Sequence, residues 1–124
     1  MRFWSQPRLV NGSPRLDMRR LLVGALAQST SYNLWGLPHL YWEDAAKAII
    51  ELKDDAIPPL KTLLADTSSA PVWGSEEHRE YEAYMYRRCD YALALILAIR
   101  GQDLKSLPTN PAERDKLIEQ VQKR

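Results

Sequence analysis

The chain has a single cysteine, Cys89, so no disulfide forms within it and a disulfide-built miniprotein is excluded. Long apolar runs are missing as well: nothing approaches the ~18 consecutive apolar residues that a spanning helix requires. Alternating β-branched segments between turn residues are nearly absent, which leaves helices as the main element. The five glycines are scattered singly, so there is no P-loop, G-x-G-x-x-G or G-x-S-x-G segment. Neither sign of charge dominates: 17 Lys plus Arg stand against 16 Asp plus Glu, a formal net charge of +1. That balance provides no general attraction to nucleic acid or to an anionic membrane.

What is present fits one soluble all-α domain: 124 residues, 45% hydrophobic and 27% charged. Charge is unevenly placed. Residues 1–42 carry Arg2, Arg8, Arg15, Arg19 and Arg20 against Asp17 alone, whereas residues 43–124 have an acidic excess. The stretch 18–27 mimics a miniature signal peptide, with Arg19-Arg20, a short apolar core and Ala25-Leu26-Ala27. Its core is too short for export, an amphipathic helix explains the same residues, and a cytoplasmic location is expected.

Residues 1–13 read as an irregular arm. Ser13-Pro14 then opens a helix expected from about 14 to 28, with Met18, Leu21, Leu22, Ala25 and Leu26 on its apolar stripe. Residues 29–38 read as an aromatic loop. A second helix follows, burying Trp42, Ala45, Ala46, Ile49 and Leu52, and a third starts at Ala56-Ile57-Pro58-Pro59. The link between them is short enough to predict an antiparallel hairpin. Residues 67–77 read as a long loop with the apolar tip Val72-Trp73. The fourth helix is expected to bury Met85, Cys89, Ala92, Ile96 and Ile99, and to stop at Arg100-Gly101. Asn110-Pro111-Ala112-Glu113 is a capping box for a terminal helix over 110–123, burying Leu117, Ile118 and Val121. The expected domain is therefore about five helices, with a helical core over 14–101.

Two stretches resemble a known family. Ala45-Ala46-Lys47-Ala48-Ile49-Ile50-Glu51-Leu52 followed by Asp55-Ala56-Ile57-Pro58-Pro59-Leu60-Lys61-Thr62-Leu63-Leu64 is similar to the join between two HEAT repeats. Arg87-Arg88-Cys89-Asp90-Tyr91-Ala92-Leu93-Ala94-Leu95-Ile96 resembles the inner helix that follows. The resemblance spans about residues 42–101 and implies a short right-handed superhelix of antiparallel helix pairs. Residues 65–84 make a longer connection than the family's turns. A fold of this kind implies little about chemistry.

Candidate sites are few. His78 and Glu82 lie four apart on a helix and could share a divalent metal, but an acidic helix start explains them without one. Cys89 sits in an apolar stripe, the place of a buried packing thiol rather than a nucleophile. No catalytic, metal or cofactor residue is therefore assigned. Tyr81, Tyr84, Arg87 and Arg88 combine the residue types that anchor protein interfaces, and the alternative is that the tyrosines close the core while the arginines pair with Glu51, Asp54 or Asp90. Trp73, on its Pro-bounded loop, is the best single contact residue. The expected function is a non-catalytic, protein-binding helical-repeat module, an adaptor or immunity-type inhibitor, with Trp73, His78, Tyr81, Tyr84, Arg87 and Arg88 at the contact. Self-association through an exposed helical end face is a further expectation. The alternative is nucleic-acid binding through the basic N-terminal third with Arg87 and Arg88, which acidic neighbours disfavour.

Overall fold

A computed structural model describes residues 14–102 and 107–123, with side chains from residue 18 onward. The expected arm over residues 1–13 lies outside the described residues. The fold is all-α, with six helices among the described residues and one very small sheet. The helices are α1 (Pro14–Gln28), α2 (Asp44–Glu51), α3 (Ile57–Leu63), α4 (Ser75–Tyr84), α5 (Arg88–Ile99) and α6 (Pro111–Lys123). A two-stranded antiparallel ribbon, β1 (Gly36–Leu37) and β2 (Tyr41–Trp42), precedes α2.

The centre of the molecule is α5. Its residues Cys89, Asp90, Tyr91, Ala92, Leu93, Ala94, Leu95 and Ile96 are all buried, so the helix is enclosed on every side rather than along one stripe. The principal packing of α2 and α3 is on α5, while α1 lies against α2, α3 and the 3₁₀ turn Lys53–Ala56, and α6 meets α5. Gly101, at φ +86, ends α5 as expected: its N–H bonds the Ala98 carbonyl and the Gln102 N–H reaches Leu97, the paired bonds of a Schellman cap. Pro58 and Pro59 sit in the first turn of α3, where no intrahelical hydrogen bond is lost.

Several expectations need correction. The fourth helix is two helices, because Met85 adopts a left-handed conformation at φ +52 and ends α4. Met85 is consequently exposed, not buried in a stripe, and Tyr86 takes the interior position. The break lets Tyr86 and Arg87 run beside the preceding loop: Ala70 N–H bonds Tyr86 O, Arg88 N–H bonds Ser68 O, and Cys89 N–H bonds Asp66 O. The loop expected to reach residue 77 ends at 74, where α4 begins. On α1, Val23 and Leu26 are buried but Met18, Leu21 and Ala25 face outward, since only one narrow face meets α2 and α3. Trp42 belongs to β2 and is half-buried. The link after α2 is the 3₁₀ turn, with Lys53 at φ +55.

The ribbon depends on Gly36. Its φ is +105, and an added Cβ would collide with the Tyr41 carbonyl oxygen and crowd Trp42 and Glu43. Gly36→Ala is expected to lower unfolding free energy by about 1–3 kcal/mol in urea titrations, the scale of one strained backbone position. Gly24→Ala, on α1 with nothing within 4 Å of the new methyl, is expected to raise it by about 0.5–1 kcal/mol through helix propensity.

Candidate functional site

The charged residues at the start of α5 face inward. Asp90 is fully buried. The Arg87 guanidinium donates to both its carboxylate oxygens at 3.0 Å, and the Arg87 backbone N–H adds a bond of 2.9 Å. Arg114, also fully buried, brings its Nε to 3.0 Å from Asp90 Oδ1. This contact is a close charge pairing off the hydrogen-bond axis, because the other guanidinium nitrogens are aimed elsewhere. Arg114 Nη1 donates to the Pro108 and Thr109 carbonyls and Nη2 to Tyr84 O at 2.6 Å. Arg87 also donates to Asp115 Oδ1 at 2.9 Å, so two arginines and two aspartates balance each other. The Asp90 hydrogen bond, outweighing burial, raises the Arg87 guanidinium further above its ordinary range.

Arg88 is committed in a different direction. Its Nε donates to the Tyr32 hydroxyl at 3.0 Å, Nη2 to Ser29 O at 3.2 Å, and Nη1 pairs with Asp66 at 3.4 Å. Arg87 therefore pairs with Asp90, whereas Arg88 takes Asp66 rather than Glu51 or Asp54. Burial pushes the Tyr32 hydroxyl above its ordinary range, and bonds from the Ser68 backbone and side chain lower the Asp66 carboxyl.

A second network was not anticipated. His39 is buried and stacks on Tyr84 with centroids 3.9 Å apart. Its Nε2 lies 2.6 Å from Glu80 Oε1, and its Nδ1 meets the Tyr86 hydroxyl. Burial raises the Tyr86 pKa strongly, which keeps the phenol protonated and a donor. The carboxylate only accepts, so Nε2–H donates to Glu80, and Nδ1 faces the Tyr86 hydroxyl. The ring thereby fastens α4 to the ribbon and to the start of α5. Tyr86, at the inner end of this relay, has no exposed surface, whereas Glu80 at its outer end is partly exposed.

Trp73, His78 and Tyr81 form the outward part of the region. Asn33 holds Trp73 from both sides: the Trp73 N–H donates to Asn33 Oδ1 at 2.7 Å, and Asn33 Nδ2 donates to Trp73 O at 2.6 Å. The indole stacks on His78 (5.1 Å, 10° between planes), and His78 stacks on Tyr81 at 5.7 Å. His78 Nδ1 meets Val72 O at 3.0 Å, which fixes its ring against the loop. Trp73 is nevertheless 53% exposed. His78 and Glu82 stand 3.9 Å apart, and among the described residues no three His, Cys, Asp or Glu side chains gather to hold a metal.

The structure thus brings Trp73, His78 and Tyr81 together on one surface and stacks Tyr84 on His39 and Tyr86 instead. It separates Arg87 and Arg88 from them. Sequence reasoning missed His39 and Arg114, and had Asp90 only as one of three possible partners of the arginines. Arg114 left one signal, being a charged residue at i, i+3, i+4 and i+7 with Leu117, Ile118 and Val121, on the buried face of α6. His39 left none, since its partners lie more than 40 residues away.

Comparison with known proteins finds no matching family model, no significantly similar curated protein and no significantly similar solved structure. Among the described residues, no helix is long and apolar enough to cross a membrane.

Arg114→Ala is expected to cost about 3–5 kcal/mol in urea unfolding, because it leaves the Asp90 carboxylate buried with one cation removed. Burial pushes the Cys89 thiol up to about 12. Native protein at pH 8 should therefore react with a thiol reagent only as fast as it opens, and unfolded protein should react at once.

Proposed function

We propose that this chain is a non-catalytic helical module that binds another protein, as an adaptor or an immunity-type inhibitor would, and that it works in the cytoplasm as a short HEAT-like repeat. The observation that carries the reading is Trp73. A large aromatic side chain half in solvent loses hydration without gaining a core, and here its backbone is clamped at both ends by Asn33 and its ring is stacked on His78. A preorganised aromatic of this kind binds with little ordering cost, which is the property of an interface anchor. His78 and Tyr81 extend the surface along α4.

The helical-repeat reading draws support from α2 and α3, which both pack on α5, with α1 laid across them. Self-association would use the groove of about 590 Å³ between α1 and α3, lined by Val23, Gly24, Ala27, Pro59 and Leu63. The nucleic-acid alternative loses two of its cations, because Arg87 and Arg88 are spent on Asp90, Asp115 and Asp66. Four glutamates on α4, against one arginine, further repel a phosphate backbone.

The test is affinity capture from nuclease-treated lysate with wild type, Trp73→Ala and Met85→Ala. One protein retained in stoichiometric amount by wild type and Met85→Ala, and weakened at least about tenfold by Trp73→Ala, is the expected outcome. Equal retention by all three, or capture of nucleic acid alone once nuclease is omitted, would overturn the reading.

A further inference from the structure

Beside the Trp73 surface, α4 and the ribbon enclose a cleft of about 430 Å³ lined by Leu37, Leu40, Tyr41, Glu76, Glu77, Arg79 and Glu80. That volume lies in the range of ~300–1,000 Å³ typical of small-ligand sites. Its walls are of two kinds. Leu40 and Tyr41 are exposed, 55% and 38%, although both are large apolar side chains at the tip of a ribbon. Opposite them stand three carboxylates, and among the described residues no lysine or arginine pairs with any of them. Glu80 accepts a hydrogen bond from His39, which orients the carboxylate. Glu77 is near enough to Tyr41 for its charge, after burial, to raise the phenol's pKa.

We infer that this cleft receives an arginine side chain presented by the protein partner. The inference rests on the protein-binding reading above. A guanidinium meets both walls at once: its weakly hydrated plane stacks on a tyrosine ring while its fork of N–H donors matches carboxylate oxygens. Its methylene stem lies along Leu37 and Leu40 as long cationic side chains do on apolar surfaces. Three carboxylates against the one cation, Arg79, leave a net negative site, so the entering charge completes the balance. Uncharged apolar occupants would strand the carboxylates away from water.

The experiment is titration of the isotopically labelled full chain with capped arginine, and separately with capped citrulline, its uncharged isostere, followed by amide chemical shifts. Arginine should bind with a Kd of about 1–10 mM, move the resonances of Leu40, Tyr41, Glu77 and Glu80, and bind at least about tenfold more tightly than citrulline. Glu76→Gln with Glu77→Gln should abolish the difference, while Trp73→Ala should leave it intact. Equal shifts with both ligands, no shifts at this cleft, or an effect unchanged in the double variant would overturn the assignment. Failure here with Trp73-dependent capture intact leaves the protein-binding reading standing. Arginine binding without any captured protein leaves the cleft and removes that reading.

Discussion

The structure is organised around one buried carboxylate. Asp90 lies in the first turn of α5 with no solvent contact, and the two guanidinium groups of Arg87 and Arg114 neutralise it. Removing such an ion from water costs several kcal/mol, so the arrangement persists only because each group is held in place by other bonds. Arg114 supplies those bonds: one side chain ties α6 to Asp90, to the Pro108 and Thr109 carbonyls and to the Tyr84 carbonyl at the end of α4. Its guanidinium also lies over the Tyr86 ring, 5.3 Å from the centroid. The break between α4 and α5 is fixed from the inside by these contacts. A continuous helix would carry Met85 and Tyr86 around its axis and withdraw the Tyr84 carbonyl from Arg114.

The break has consequences on the outside. It turns α4, none of whose residues is buried, into a helix laid over the molecule rather than built into it. What holds α4 there is polar and aromatic: Glu80 and Tyr84 on His39, His78 on the loop carbonyl of Val72, and the Trp73 stack. Glutamates and aromatics, not core apolar residues, therefore occupy the faces of α4. The arginines that could have balanced them are consumed one turn further on, at Asp90, Asp115 and Asp66. An acidic, aromatic surface is thus the outward counterpart of the inward ion cluster.

Much of this was legible in the residues. Helical spacing located α1, α2, α3, α5 and α6, and Pro58-Pro59 and Gly101 marked ends that the structure places where the φ restrictions require. Trp73 stood out because a large aromatic on a Pro-bounded loop has few reasons to be there, and the structure stacks His78 and Tyr81 beside it. The ribbon at 36–42 was not legible: two-residue strands carry no alternation, and only Gly36, with its positive φ, marks the turn. The split of the fourth helix was hidden because Met85 continues the apolar spacing of Cys89 and Ala92, and spacing alone does not reveal a left-handed residue.

Local sequence, then, determined the class of fold, most helix ends and the aromatic character of the loop before α4. These depend on φ limits, capping and 3.6-residue periodicity, which act within a few positions of each residue. Tertiary structure decided which charges are free. Arg87 and Arg88 have the same letters whether they face solvent or a buried aspartate, and the choice was made by α6 and by residues 29–32 and 66, far along the chain. The same holds for His39, whose partners Glu80 and Tyr86 come from more than 40 residues along the chain. Desolvation and ion pairing depend on distance in space, and only the folded chain sets that distance.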